Sequence, residues 1–482
     1  MISPLVLETS VLFLGLCILL LEAFVPTPDR KAFAWLGIVG LSIVLVLSFF
    51  TSQTDQLGGF YVTDSIGIFF KQLALLTTIV VLILSTEYTE TIKKFVSSEK
   101  PGAGLGEFYA LPVLICTGLM WMASAADFIM IFVSLELVTI GFYILVSYLR
   151  KSRASLEAGT KYLILGALST GILVYGITWV FGVTGETDLK AIGIAAASVS
   201  PNNQIGLLFG VTLVLVGLGF KIAAAPFQFW VPDVYQGAPT PITAFLSVGS
   251  KAAGFIVLIR FLTVILPVPG IGEKVTAGLT VLAIATLIYG NFAALPQTNL
   301  KRLLAYSSIA HAGYLLIAIV ALAQFADVAQ QAISFYLATY LVMTLLSFLV
   351  LILASNKLGG DDISHFNGLA KKSPLLAFAM LVAMISLAGV PFTAGFFGKF
   401  MIFKVALEAQ LYWLVGLGAI SVGCGFYYYL KVVKAMYWNA SNGDTAETFT
   451  FTTLARTTIY AGIAAIFFLG IYPAPILDLL SK

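Results

Sequence analysis

Charge and metal-binding side chains are what this sequence has least of. Only 10% of its 482 residues are Asp, Glu, Lys or Arg, against roughly a quarter in soluble globular domains, so a soluble enzyme is excluded. There are two histidines and three cysteines, and Cys17, Cys116 and Cys424 are scattered through apolar runs. That spacing gives neither a disulfide framework nor a metal-cluster pattern, and it supplies too few ligands for paired haems or an iron–sulfur cluster. A net charge of +3 is too small to suggest a nucleic-acid partner. No GxxxxGK motif followed by Ser or Thr occurs. The stretch GFFGKF, 395–400, lacks the spacing and the hydroxyl, and GAGLGE, 102–107, precedes an apolar helix without the strand that opens a dinucleotide fold. No cofactor site, metal site or catalytic group is therefore expected in this chain, and its energy source is an ion gradient or a partner protein.

What is abundant is apolar length: 60% of the residues are hydrophobic. A span of the bilayer needs about 20 apolar residues, and fourteen segments qualify, near 3–24, 33–50, 64–85, 107–124, 127–148, 159–181, 204–230, 240–266, 275–295, 302–323, 328–354, 374–403, 408–430 and 456–479. The predicted fold is an all-α polytopic membrane protein forming one transmembrane domain over 1–482. The first segment has no basic residue before it and no small-residue cleavage site after it, so it reads as a retained helix.

Loops after odd-numbered segments hold sixteen Lys and Arg residues, among them Lys100, Lys301 and Arg302, whereas loops after even-numbered segments hold two, Lys190 and Lys274. This asymmetry places the odd loops in the cytoplasm and both termini on the outer, periplasmic side. A missed or doubled segment would scramble that sorting. The expected location is a bacterial inner membrane, with the lipid bilayer as the first partner.

Segments 7 and 12 are too long for one span, and each contains a proline, Pro226 and Pro391. Proline removes a backbone donor and clashes with the preceding turn, so each helix is expected to break there. Corresponding interruptions in two halves of a membrane chain point to inverted repeats around a transport path. Helices 1–3 over 1–100 then precede a first five-helix repeat, 105–266, and an inverted second repeat, 275–435, with helix 14 at 455–482.

Four ionisable residues lie deep in these spans: Glu136, Lys221, Lys251 and Lys399. A charge at the bilayer centre costs about 2.5–3.5 kcal/mol even on lenient scales. Desolvation favours the neutral form of a lysine and a neighbouring carboxylate opposes it, so a lysine held between the two can exchange its proton when its partner moves. Such a set suits a proton relay. The competing reading is snorkelling or static ion pairing. Snorkelling is the preferred reading for Lys71, Lys161, Arg260 and Lys404, and for Glu8 and Glu22, all nearer segment ends. His311 could join the relay, with Tyr306, Ser307 and Ser308 within a turn of it, or could be a packed, hydrogen-bonded histidine. His365, in a loop, reads as structural.

At FIMIFVSLELVTIGFYILVSY, GFKIAAAPFQFWVPDVYQGAPTPITAFLSVGSKAAGF, LKRLLAYSSIAHAGYLL and SLAGVPFTAGFFGKF, the sequence resembles the antiporter-like membrane subunits of proton-pumping NADH:quinone oxidoreductase, respiratory complex I, and within them the subunit N branch. The resemblance implies two inverted five-helix repeats with helices 7 and 12 broken. It also implies that Glu136 pairs with Lys221, that Lys251 connects onward, that Lys399 gates an exit, and that His311 helps to link them through water. Flavin mononucleotide, iron–sulfur clusters and quinone would then sit in other subunits of the membrane and peripheral arms. Many relatives have histidine where this chain has Gln228, and an amide cannot take up a proton at physiological pH. Two other readings stay open. A cation/proton antiporter predicts isolation without a redox arm, and a non-transporting scaffold predicts that neutralising Lys221 leaves pumping intact.

Overall fold

A backbone in hydrocarbon has no water to satisfy its polar groups, so helix is the form these apolar runs adopt. The computed structural model describes residues 3–25, 30–51, 54–57, 59–96, 104–440, 449 and 451–480, and it is nearly all helical. Among the described residues, thirteen helices are long and apolar enough to cross a membrane, from Pro4–Phe24 to Thr453–Ile471. The twelfth predicted segment is instead two shorter helices, Pro374–Ala388 and Ala394–Glu408. Each helical span is called below by its order in the sequence. Lys100 and the first two residues of the 102–107 stretch lie outside the described residues.

Polar residues placed at the span ends set where the helices begin. Asp64 Oδ1 accepts from Gly67 N at 2.8 Å to cap span 3, and Asp127 Oδ1 accepts from Ile129 N at 2.6 Å to cap span 5. Asn299 Oδ1 accepts from Arg302 N at 3.1 Å at the head of span 10. Such caps satisfy donors that the first turn cannot. The only described strands, Thr54–Leu57 and Tyr61–Thr63, form a short antiparallel hairpin between spans 2 and 3.

Contacts between loops sort by parity. Among odd loops, Lys151 N donates to Phe95 O at 3.0 Å, Gly368 N to Ala435 O at 3.1 Å, and Asn299 bridges Asp362. Among even loops, Tyr61 bridges Ala125 and Phe128 N donates to Thr187 O at 3.0 Å. Two separate ends, each gathering alternate loops, are what fourteen successive crossings produce.

Both expected breaks are visible. Span 7, Pro201–Ile222, ends four residues before Pro226, at the residue whose carbonyl the proline ring would strike. After a non-helical 223–229, the chain resumes as Trp230–Gly237. Span 12 stops at Ala388, where Gly389 takes φ +94° and turns the chain out of the helix. Span 14 crosses this second break closely, since a Cβ at Gly470 would lie 2.4 Å from Phe392 O. Spans 8 and 10 run through the centre, with every residue of 240–259 and 303–322 buried.

Candidate functional site

Helices buried on all sides carry no water-facing stripe, so each polar side chain on spans 8 and 10 must find a partner inside the bundle. The partners form a line. At one end is Glu136, half-buried on span 5 (Phe128–Val146), whose Oε1 accepts from Thr170 Oγ1 at 2.9 Å. Lys221, in the last turn of span 7 before the break, is buried and donates to Thr139 Oγ1 at 2.7 Å. Thr139 stands one helical turn beyond Glu136 on the same face. The two charged groups therefore reach each other through threonines, not through a direct ion pair. A cavity of about 10 Å³ beside Lys221, lined also by Thr139, Ser169 and Thr170, which bonds Glu136, has the size that admits one water.

Gly254 on span 8 lets that helix approach the end of span 7, since a Cβ there would sit 2.8 Å from Ile222 Cγ2, with the Lys221 stem in ordinary contact at 3.5 Å. Lys251 lies one turn earlier, immediately after a π-helical turn, Leu246–Ser250. Such a turn re-aims the side chains that follow it. Lys251 donates to both the carbonyl and the hydroxyl of Ser308, with its ammonium 5.6 Å from the Tyr340 ring centroid. Tyr235 OH lies 3.3 Å from Ser308 Oγ.

One turn along span 10, both ring nitrogens of His311 meet phenols: Nδ1 is 2.6 Å from Tyr336 OH and Nε2 is 3.1 Å from Tyr429 OH. Tyr429 also bonds the Ser307 hydroxyl. A neutral imidazole donates from one nitrogen and accepts at the other, so the two phenols take opposite roles, and a change of tautomer reverses both. Tyr336 packs over Gly398, where a Cβ would be 3.0 Å from its ring. The next residue, Lys399, donates to Leu387 O and Ala388 O at 2.8 Å each. These are the last carbonyls before the second break, the negative end of a helix dipole. The ammonium also stands 5.0 Å from the Tyr314 centroid. Lys221, Lys251, His311 and Lys399 thus make a line of four separate buried hydrogen-bonded groups between the two breaks, and Glu136 reaches the small cavity beside Lys221 through Thr170.

Several expectations from sequence change. Ser307 and Ser308 join the line, but Tyr306 turns away, its ring 6.1 Å from Tyr289 and 5.9 Å from the Arg302 guanidinium. Lys301, expected in a loop, is buried and donates to Ala238 O at 2.8 Å, because as the second residue of the span 10 helix it packs beside the short helix that follows the first break. Glu8 and Lys71 do not snorkel: they form a buried ion pair at 2.8 Å. Arg260 grips Asp64 at 2.7 Å, and Glu22 meets Arg30. Burial alone would push the Asp64 carboxyl up, but the Arg260 guanidinium overrides it and holds the group below the usual carboxylate range. Lys161 is tied to Glu157 and to Asp233, each at 2.7 Å, and Asp233 also meets Arg302 at 2.9 Å. Lys404 remains largely exposed beside Glu408. Gln228 is buried with its Oε1 unpaired by the protein. Among the described residues no group of three His, Cys, Asp or Glu is placed to hold a metal.

Sequence reading passes over the threonines and tyrosines that complete the line: Thr139, Thr170, Tyr235, Tyr336, Tyr340 and Tyr429. One signal was available, because tyrosine favours membrane interfaces, so a mid-span tyrosine has a hydroxyl needing a buried partner. Tyr429→Phe removes the hydroxyl shared by Ser307 and His311 with almost no change of volume. The expected result is intact assembly and at least about tenfold slower coupled proton transfer, measured as acidification per turnover in liposomes. An unchanged rate would take Tyr429 out of the line.

Residues 125–425 match the family model described as NADH:quinone oxidoreductase/Mrp antiporter, TM. A relative from Desulforamulus reducens, NADH-quinone oxidoreductase subunit N, is 39% identical over 474 residues, covering 98% of this chain and 95% of the relative. A chain in the structure of respiratory complex I from Thermus thermophilus with bound aureothin superposes with a TM-score of 0.81 at 31% identity, over 98% of this chain and 99% of that one. A chain of the Mrp complex from Dietzia sp. shares the fold, with a TM-score of 0.79 at 19% identity over 98% of this chain and 95% of that one.

Proposed function

This chain belongs to the NADH:quinone oxidoreductase/Mrp antiporter family, and from that membership we propose that it translocates protons as a membrane-arm subunit of a redox-driven NADH:quinone oxidoreductase. The observation that carries the reading is the buried line from Lys221 through Lys251, Ser308 and His311 to Lys399, bounded by two broken helices. Lysines that reach neutral hydroxyls and carbonyls but no carboxylate within ion-pair distance have no fixed counter-charge to hold their protons. They can pass a proton when the field around them changes.

In this proposal the spans of 105–266 and 275–435 are the inverted repeats, and the odd loops face the cytoplasm of a bacterial cell, with both termini outside. Glu136 is the input. A change of charge in a neighbouring subunit alters its attraction for Lys221 across the small cavity, and the proton released from Lys221 moves towards Lys251 and on through Ser308, Tyr429 and His311 to Lys399. Electron transfer lies elsewhere. Two histidines and three dispersed cysteines do not fit an iron–sulfur cluster or paired haems, so flavin mononucleotide, iron–sulfur clusters and quinone are assigned to partner subunits of the two arms.

The test is isolation of the tagged chain in mild detergent. An NADH-oxidising, flavin-containing assembly is expected to copurify. Recovery of the chain with other membrane subunits alone would replace this reading with that of a gradient-driven cation/proton antiporter.

A further inference from the structure

Glu8 and Lys71 take no part in the line described above. Both are essentially solvent-free, with 0% and 3% of their side-chain surfaces exposed. Their ion pair is closed by Tyr61, which donates to Glu8 Oε1 at 2.9 Å and accepts from Lys71 Nζ at 2.7 Å. Spans 1 and 3 and the hairpin thus converge at the even-loop end. Replacing such a pair with well-packed apolar residues is often neutral or stabilising, so stability alone is a poor reason for it. Ionisable groups at membrane depth point first to function.

The second observation is an imbalance of hydrogen bonds. Glu8 Oε2 makes no well-formed hydrogen bond among the described residues, and the Trp121 side chain is the donor close enough to interact with the carboxylate. The hydroxyls of Thr63 and Ser124 lie close enough to the Tyr61 oxygen to interact with it, but neither makes a well-formed hydrogen bond among the described residues. A buried carboxylate oxygen normally accepts at least one bond. Three loosely bonded oxygens around one buried ion pair leave acceptor capacity where a proton can be taken up. We propose that Glu8, Lys71 and Tyr61 form a second proton-binding site, in which Glu8 Oε2 takes up a proton from the even-loop side and becomes a donor.

Charge balances in that step. The incoming proton neutralises the carboxylate, and the Lys71 ammonium keeps the Tyr61 oxygen as its acceptor. The further charged neighbours are Asp64, at the cap of span 3, and Arg260, on span 8, and they neutralise each other at 2.7 Å. The site is separate from the lysine line. Spans 3 and 8 meet at a cavity of about 10 Å³ walled by Phe70, Leu73, Leu119, Gly249, Ala252 and Ile256, and an apolar cavity stays dry. In this proposal protons that enter at Glu8 return to the side they came from.

The experiment is infrared difference spectroscopy on the full chain in liposomes, stepped between about pH 9 and pH 5. A carbonyl band of a protonated carboxylic acid should appear with acidification of the even-loop side and be lost in Glu8→Gln. Identical difference spectra for the parent and Glu8→Gln would overturn the site and leave a static ion pair, as would a response only to acidification of the opposite side. Should Glu8→Gln fail to assemble, Tyr61→Phe keeps both charges and removes one bond. It should change the apparent proton affinity about tenfold, and an unchanged midpoint would equally overturn the proposal.

Discussion

Lys221→Met is expected to abolish proton translocation while leaving the chain as stable as the parent or more so. The two effects have opposite physical origins. Methionine retains the unbranched stem that packs against Gly254, so no cavity opens on span 8. It also removes an ammonium whose burial costs about 2.5–3.5 kcal/mol on insertion scales and whose only hydrogen bond among the described residues is to Thr139. Thr139 itself stays satisfied, because its hydroxyl also donates to Leu135 O at 2.6 Å. The proton carrier nearest Glu136 is lost, and protons moved per electron pair should fall by the full share of this subunit. The checks are the proton yield of reconstituted assemblies and the thermal transition of the detergent-solubilised chain. A scaffold role predicts unchanged yield, and a normal yield in Lys221→Met would remove Lys221 from the proposed relay.

The same contacts explain what the sequence made legible. Charges in apolar runs stand out because each is costly there, so Lys221, Lys251 and Lys399 could be found from composition and position alone. The breaks at Pro226 and Pro391 were equally legible, because proline acts on its own turn. Partner identity was not. Glu8 and Lys71 lie 63 positions apart in sequence, and only the packing of spans 1 and 3 against the hairpin shows that two residues readable as snorkelling are in fact paired. The resemblance implies that Glu136 pairs with Lys221, and the hydrogen bonds of the two go instead to Thr170 and Thr139, which share the lining of a water-sized cavity. Hydroxyl residues cost little in a membrane helix, since they can bond their own backbone, and so they give no warning of the line they complete. The π-helical turn before Lys251 left no sequence trace either.

Lys399 should behave differently from Lys221, because its ammonium serves the fold as well. It donates to Leu387 O and Ala388 O, two carbonyls that the break leaves without helical partners and that no lipid can satisfy. Lys399→Met therefore strands them, and a loss of about 1–3 kcal/mol is expected for a buried group left unsatisfied. Assembly and pumping should fall together in that variant, which makes it a poor test of the relay on its own. Lys399→Arg separates the two roles. The guanidinium still donates to carbonyls and still opposes the helix dipole, but it does not release its proton in a protein. The expected result is near-parental assembly with proton yield as low as in Lys221→Met, read from the same liposome measurement. If Lys399→Arg pumped normally, the positive charge at the second break would be sufficient by itself, and Lys399 would be a cap on a broken helix and an electrostatic element, with the proton leaving the line at His311 or before it.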